Sequence, residues 1–449
     1  MKRQTQVRKL IATALLGIFR KNKLRKIEEL NRTQWLSLPK IKDIQERRFV
    51  ELMEHCKRNV PYYKNVDGLS EVRRLKDITQ LPFLTKKLIR ENLKSLKAIN
   101  FPEKYFIPNF TSGSTGEALN FFSYTKNEIY FGILIRNNMW TEWDIGEKQA
   151  MLWGSHSDIS KAQKVFSKIK NNLFRKVLHL SSYEMTGSNM LKYRKKINSY
   201  KPQLITGYPS GLQTFSNFLR ENNLSIYGPK GIICSGETLY GYQRKEIESV
   251  FGCPVYNRYG CREVGNIAHE CEKQDGLHIN AEHIVVETVD EDGNICKPGE
   301  LGEIVVTDLD NHAFPFIRYK TGDLGILSDR ECRCGRGLPL MEKVEGRVWD
   351  IIVGTNNNRL VGTFWLVRGV SGIEKFQVIQ ENYGEILLKL IVNERFDETE
   401  KQKLIDRVYE NCGQEMEIKI ELVDEIPLTE SGKHRFVISK VSPFVTQLK

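Results

Sequence analysis

Between residues 105 and 260 short apolar runs alternate with stretches of helical periodicity, and this alternation narrows the fold more than any other feature of the chain. The runs are 150–153, 203–208, 231–236 and 254–260, reading AMLW, QLITGY, GIICSG and PVYNRYG, with helix-length segments between them. Strand, helix, strand at this spacing predicts βαβ units, hence a largely parallel sheet with helices on its faces. Thr125 followed by Glu128 has the capping-box pattern that opens a helix near 126–140. Upstream, residues 42–58 place Ile44, Phe49, Val50, Leu52, Met53 and Cys56 near one face of an amphipathic helix that stops before Pro61.

Beyond residue 276 the pattern changes. Residues 283–290 and 302–309 are strand-like, and Glu291-Asp292-Gly293 supplies turn chemistry, which predicts an antiparallel subdomain. After Gly346-Arg347 the chain starts again: strand-like 350–354, a helical stretch at 359–368, strand-like 376–380 and 386–392, a helix across 397–411, and strand-like 417–423. The predicted class is α/β, with an N-terminal extension (1–40), a large domain of βαβ layers plus an antiparallel subdomain (41–346), and a smaller, mobile α+β domain (347–449).

Composition matters chiefly through where the charge lies. Residues 1–26 carry nine basic residues and no acid, so the formal +12 of the 449-residue chain falls to +3 without them. A body so close to neutral argues against a nucleic-acid surface. The apolar run Leu10 to Phe19 is too short to span a bilayer, and Arg20-Lys21-Asn22-Lys23 follows where a signal peptide would be cleaved. It reads either as an interfacial helix giving peripheral contact with the inner face of the cell membrane or as an ordinary packed terminal helix. The nine cysteines form no disulfide framework, which suits a reducing cytoplasm.

Residues 110–117, Phe-Thr-Ser-Gly-Ser-Thr-Gly-Glu, place four hydroxyls and two glycines in a loop after the strand-like 105–110. Backbone N–H groups bared by glycine, with added hydroxyls, suit an anion, although the same residues also make a solvated turn. Downstream come Tyr259-Gly260-Cys261-Arg262-Glu263, Gly299-Glu300-Leu301-Gly302-Glu303, Arg318-Tyr319-Lys320-Thr321-Gly322-Asp323-Leu324, Gly346-Arg347, and Leu428-Thr429-Glu430-Ser431-Gly432-Lys433. In this order they resemble the core motifs of the adenylate-forming (ANL) superfamily. Asn59-Val60-Pro61-Tyr62-Tyr63, Leu81-Pro82-Phe83-Leu84-Thr85-Lys86, Gly207-Tyr208-Pro209-Ser210 and Gly276-Leu277-His278-Ile279 resemble its phenylacetate–coenzyme A ligase-like branch, which includes capsular-polysaccharide members. The resemblance covers roughly residues 40–440.

The resemblance implies ATP-dependent activation of a small carboxylic acid as its acyl-adenylate, followed by transfer to a nucleophile, first of all the thiol of coenzyme A. By the same similarity Thr111, Ser112, Gly113, Ser114, Thr115 and Gly116 would hold phosphates, Glu263 would act in Mg2+ coordination, and Lys433 would reach from the small domain to the α-phosphate. Asp323 would bind the ribose hydroxyls with Arg347 beside it at the hinge; Ser235, Gly236 and Glu237 would face adenine, with Tyr259 and Gly260 on the same side. Tyr208, Pro209 and Ser210 would wall the acyl pocket. The bland readings are an ordinary ion pair for Glu263, a turn cap for Asp323, solvent exposure for Lys433 and core packing for Tyr208 and Pro209.

Two departures stand out. Glu117-Ala118 follows Gly116 where many relatives carry a lysine, and Val348-Trp349-Asp350 after the hinge is bulkier than in a typical coenzyme A ligase. The acceptor therefore remains open between coenzyme A and an amine or hydroxyl of a surface-glycan precursor, and a catalytically silent scaffold in polysaccharide assembly is the third reading. Finally, Cys271, His278, Cys332 and Cys334 offer three thiols and an imidazole, a closed structural zinc set that the family resemblance supports, with His269 as the competing nitrogen ligand.

Overall fold

The computed structural model describes residues 21–111, 119–124, 128–154, 177–182, 185–347, 351–356, 358–361, 364–367, 369–427 and 434–441. Its strands are β1 (Phe106–Phe110), β2 (Asn120–Tyr124), β3 (Gln149–Leu152), β4 (Val177–Leu180), β5 (Leu204–Gly207), β6 (Gly231–Ser235), β7 (Val255–Cys261), β8 (Gly265–Glu270), β9 (Leu277–Ile279), β10 (Ile284–Val289), β11 (Leu301–Asp308), β12 (Tyr319–Ser328) and β13 (Leu340–Arg347). β14 (Ile351–Val353), β15 (Arg359–Val361), β16 (Ile373–Gln380), β17 (Glu385–Val392), β18 (Glu417–Leu422) and β19 (Val437–Ser439) follow. The helices that matter here are α1 (Lys21–Thr33), α2 (Leu38–Asn59), α3 (Glu128–Met139), α4 (Gly187–Tyr200), α5 (Pro209–Glu221), α6 (Gly241–Phe251) and α7 (Glu398–Cys412). α3 is the helix expected near 126–140, and the Thr125 of its capping-box pattern lies outside the described residues.

One eleven-stranded sheet carries the large domain, in the order β10-β11-β12-β13-β9-β8-β7-β6-β5-β3-β4. β4, β3, β5, β6 and β7 run parallel, and from β8 onward every pairing is antiparallel. The parallel half is apolar on both faces because helices cover both. Ile205, Ile232, Cys234 and Val255 pack with residues of α4, α5 and α6, whereas the alternating Leu204, Ile233 and Tyr256 pack with Ile135 of α3 and Ile27 of α1. The predicted turn near 291–293 is present: Gly293 takes φ +84 and the Asn294 N–H donates to Asp290 Oδ1 at 2.8 Å.

Residues from Ile352 to Val437 build a core of their own. Its sheet, β18-β17-β16-β19, pairs β16 with β17 antiparallel and both flanking strands parallel, and α7 contributes Leu404, Val408 and Cys412. The helix expected over 359–368 is largely absent. Residues 359–361 instead pair with β14 as a hairpin, and only Phe364–Val367 make a turn of helix. The polar connection explains this: Asn358 N–H donates to Asn356 Oδ1 and Gly354 N–H to the Asn358 carbonyl, an Asn-driven turn that reverses the chain.

Of the basic N-terminal segment, residues 1–20 lie outside the described residues, and 21–26 begin α1, a packed helix. Gly132 admits it to α3, since a Cβ there would lie 2.8 Å from Leu30 Cδ1. Arg136 of α3 is wholly buried, paired with Glu282 and donating to Asn280 Oδ1 at 2.6 Å. No helix among the described residues is long and apolar enough to cross a membrane. Because the Arg136 guanidinium has lost its water, Glu282→Ala is expected to destabilise the fold by about 3–5 kcal/mol in urea denaturation, while replacing both partners by apolar residues restores much of that loss.

Candidate active site and metal centre

The Ser/Gly loop connects β1 to β2, which form a separate antiparallel hairpin. Thr111 closes its base: the Thr111 N–H donates to the Leu119 carbonyl at 2.9 Å, and the Leu119 N–H donates to Thr111 Oγ1 at 3.0 Å. Ser112, Gly113, Ser114, Thr115 and Gly116 lie outside the described residues. Arg262 anchors the hairpin to the main sheet by donating to the Phe110 carbonyl at 3.0 Å. Between hairpin and sheet lies a cleft of about 270 Å³ lined in part by Ser123, Tyr130, Arg262, Glu263, Asn266 and Asn311.

Glu263 sits in the tight connection from β7 to β8 and is 7% exposed. The Tyr319 hydroxyl of β12 donates to Glu263 Oε1 at 2.7 Å, and burial, then the Glu263 charge, holds that phenol well above its ordinary pKa. Glu263 is therefore positioned by a strand remote in sequence, and the ion pair with Arg262 expected of an ordinary surface carboxylate is absent among the described residues. Three residues earlier, near the end of β7, Gly260 is demanded by packing, since a Cβ would come 2.3 Å from the Gly265 carbonyl oxygen.

Asp323 lies across from Tyr259, whose hydroxyl donates to Asp323 Oδ2 at 2.8 Å. The Asp323 N–H donates to Thr321 Oγ1, and its backbone faces Arg347 in the β12–β13 register. The Arg347 side chain lies outside what is described. Next to it Gly346 adopts φ +111 close to Thr238, which follows Glu237. Thus the Asp323 and Gly346-Arg347 motifs are brought together by the adjacent strands β12 and β13, and the Tyr259 motif joins them through its side chain.

Ser235 ends β6, and Gly236 and Glu237 follow it. Gly236 has φ +84, and a Cβ there would meet the Tyr208 ring at 2.9 Å and Trp153 at 3.3 Å. Tyr208, 2% exposed, lies against Trp153 with ring centroids 4.1 Å apart. Pro209, also buried, opens α5, and Glu237 caps it by accepting from the Ser210 N–H at 3.1 Å and the Ser210 hydroxyl at 3.0 Å. Glu237 is thus committed to a helix end. Trp153 is legible in the sequence as the last apolar residue of its run but carries no motif, and it joins the site only through this stacking.

Lys433 lies outside the described residues. His434, which follows it, donates from Nε2 to the Phe376 carbonyl at 2.9 Å and stacks edge-on with Phe436 at 4.4 Å. Phe436 in turn meets Tyr240 of the large domain at 6.5 Å. The described residues after Lys433 therefore bring the small domain against the segment that follows Glu237.

Cys271, His278, Cys332 and Cys334 form a compact donor set, one atom from each lying within 4.8 Å of the others. Cys271 and Cys332 sulfurs are 3.7 Å apart, and Cys334 Sγ is 3.2 Å from His278 Nε2. A tetrahedral ion with metal–sulfur bonds of about 2.3 Å would separate its sulfurs by about 3.8 Å. The His278 Nδ1–H donates to the Leu338 carbonyl at 3.3 Å, leaving Nε2 for the ion. N–H groups of Lys273 and Arg336 donate to Cys271 and Cys334 sulfurs, each at 3.4 Å. Burial raises the Cys271 and Cys332 thiols, whereas at Cys334 the donors of Arg336 outweigh burial and bring the thiol below its usual value. These residues fit a metal ion. His269 is not one of the set: its Nδ1 bonds the Glu270 carbonyl and it packs on Trp140.

Comparison with known proteins places this architecture. A model of the CapK C-terminal domain matches residues 356–440. The chain is 27% identical over 424 residues to Protein CapK of Staphylococcus aureus, with 89% of each chain covered. It is 24% identical over 448 residues to phenylacetate-coenzyme A ligase of Thermus thermophilus, covering 89% of this chain and 96% of the relative. The crystal structure of 2-hydroxyisobutyryl-CoA ligase in its postadenylation state superposes with a TM-score of 0.71 at 20% identity, covering 88% and 89% of the two chains, which shows a shared fold.

The donor set can be read directly. Protein loaded with Co2+ is expected to show intense thiolate-to-metal charge-transfer absorption, weakened in Cys334→Ser and unchanged in His269→Gln; equal loss in both variants would reassign the nitrogen ligand.

Proposed function

We propose that this chain, which belongs to the acyl-adenylate-forming superfamily in its phenylacetate–coenzyme A ligase and CapK-like branch, is an ATP-dependent, AMP-forming acid–thiol ligase. One oxygen of the substrate carboxylate attacks the α-phosphorus of ATP, the bond to the bridging oxygen breaks, and its electron pair leaves with pyrophosphate. The thiolate of coenzyme A then attacks the acyl carbon and releases AMP. The observation that carries this reading is the convergence of the loop base at Thr111, the Tyr319-held carboxylate of Glu263 and the Tyr259–Asp323 pair at one end of the sheet.

In this reading Thr111, Ser112, Gly113, Ser114, Thr115 and Gly116 donate to the phosphates. Glu263, a single fixed carboxylate, would hold Mg2+, and the ion would supply charge neutralisation to the phosphates. Asp323 accepts from the ribose hydroxyls, with Arg347 beside it. Ser235, Gly236 and Tyr259 border the nucleotide and Tyr208 the acyl group, whereas Glu237, Pro209 and Ser210 hold the walls in place through the α5 cap. Lys433 acts on the carboxylate and α-phosphate when the small domain (347–449) closes on the large one (41–346) about Gly346-Arg347.

Cys271, His278, Cys332 and Cys334 would hold a structural Zn2+, because a closed set of three thiolates and an imidazole leaves no position for substrate. The similarity to Protein CapK favours a second reading of the acceptor, an amine or hydroxyl on a surface-polysaccharide precursor in place of coenzyme A. That work would place the protein in the cytoplasm, at the inner face of the membrane where residues 1–26 meet anionic lipid.

ATP–pyrophosphate exchange with Mg2+ across aryl, fatty, amino and dicarboxylic acids, with no acceptor present, tests the adenylation. Acid-dependent exchange is expected, falling about 10²–10³-fold in Lys433→Ala, since a preorganised charge acting in the transition state is removed. Exchange unaffected by that substitution sinks the role of Lys433, and ATP binding without exchange for any acid leaves the scaffold reading.

A further inference from the structure

The buried arginines among the described residues have carboxylate partners, Arg136 with Glu282, Arg318 with Glu287 and Arg336 with Glu272, and the half-buried Arg244 pairs with Glu270. Arg258 does not. Among the described residues its guanidinium meets no hydrogen-bond acceptor and no carboxylate, and its Nε is buried without a partner. The side chain is only partly exposed, and burial lowers its pKa to about 10. A charge left so short of solvent and counter-ion is costly to the folded state unless something else completes it.

Its position says what that is. The regular registers Leu152↔Gly207↔Cys234↔Asn257 run across β3, β5, β6 and β7. One residue further along, Trp153, Tyr208, Ser235 and Arg258 therefore stand side by side, and His269 of β8 is the next register partner. Alternation places Arg258 on the face of Tyr256, the face covered by α3. The row crosses the carboxyl ends of the parallel strands, where open α/β sheets bind ligands. Tyr208 is two strand spacings from Arg258, about 10 Å between backbones. Between them Ser235 projects only a hydroxymethyl, so the row has aromatic rings at one end, a small side chain in the middle, and at the other a cation whose Nε has no partner.

We propose that Arg258 binds a second anionic group of the acid this protein activates, so that its substrate is a short acid with two carboxylates, one adenylated and the other held by the guanidinium. This rests on the adenylation reading above and names its substrate class. The planar guanidinium donates two parallel bonds to a carboxylate, and the incoming charge supplies the partner that the protein itself withholds. Tyr208 and Trp153 pack the methylenes between. An acid ending in a neutral group leaves the cation stranded, so the site discriminates by penalty as well as by attraction.

The test compares exchange with butanedioic, pentanedioic and hexanedioic acids against their monomethyl esters, which keep the length and remove one charge. The diacid-to-ester ratio of kcat/KM is expected to exceed about ten for wild type and to fall about 10²-fold in Arg258→Gln, with partial recovery in Arg258→Lys. Preference of the wild type for the esters, or a ratio that Arg258→Gln does not move, overturns the proposal. If no acid supports exchange, the adenylation reading fails and binding alone decides Arg258. Saturable quenching of tryptophan fluorescence by the diacid, abolished in Trp153→Phe and weakened at least about tenfold in Arg258→Gln, supports it; equal affinity in wild type and Arg258→Gln, or no saturable binding, refutes it. The melting temperature separates a structural role, since removing an unpaired charge should leave it unchanged or raised, and a clear fall in Arg258→Gln counts against the proposal.

Discussion

Strand β7 runs parallel to β6 along one edge and antiparallel to β8 along the other. A parallel sheet alone would have its loops and helix ends for a site. An antiparallel partner adds a tight reversal at the same end, and that reversal carries Glu263. It also begins the antiparallel run in which β13 and β12 follow β8 and β9 across the sheet, and the Tyr319 and Asp323 side chains of β12 meet Glu263 and Tyr259. Gly260 is the steric condition for this crossing, because any side chain there would strike the backbone of β8. Of the groups proposed to touch nucleotide and acid, Tyr259, Asp323 and Arg258 are thus fixed by strands and Glu263 by the short reversal between two of them, which suits preorganised electrostatics.

The antiparallel half is held in place by a second device. Trp140 lies between the guanidinium groups of Arg136, 5.2 Å away, and Arg336, 4.9 Å away, and its Nε1–H donates to Gln34 at 2.8 Å. Both His269 and His278 meet its ring edge-on. Arg336 comes two residues after Cys334, and the Gly337 N–H donates to the Gln34 carbonyl. The donor loop, the chain after α1 and the end of α3 therefore meet at one indole. Since Cys271 directly follows β8 and His278 lies on β9, an ion held by this set would fix the register of the strands beside Glu263 without entering the chemistry.

What can be read from the sequence is what depends on period. The parallel strands and their helices are legible because apolar runs of four to seven residues alternating with helix-length segments have few other solutions, and the second core because the pattern restarts after Gly346. Residues 359–361 mislead because Leu360-Val361 fit a helix stripe as well as a strand, and the deciding feature is the Asn turn before them. The nitrogen ligand is not legible either. His269 and His278 are register partners on adjacent strands, both in contact with Trp140, and only the path of the loop bearing Cys332 and Cys334 distinguishes them. Arg258 has a faint signal, a charge inside a strand otherwise built of Val255, Tyr256 and Tyr259. Its meaning depends on the absence of a partner, which no local pattern can show.

The distribution of charge ties these points together. With nine positive charges gathered in residues 1–26, the rest of the chain has too little net charge to attract ATP by its overall field. Nor does the loop after Gly116 bring a lysine of its own. In the proposed reaction, binding a tetra-anionic nucleotide then falls to a few located groups: N–H donors of the loop, the ion that Glu263 can hold, and Lys433 arriving with the small domain. Arg262, exposed at the base of the hairpin, adds a cation beyond the end of β7. Arg258 lies earlier on the same chain, within β7 and on the face that α3 covers. Because Tyr259, Gly260 and Cys261 separate the two arginines along the chain, the proposed sites for the phosphates and for the acid would each have a cation of their own. Each anion can then be bound by its own charge, without one substrate neutralising the cation that the other requires.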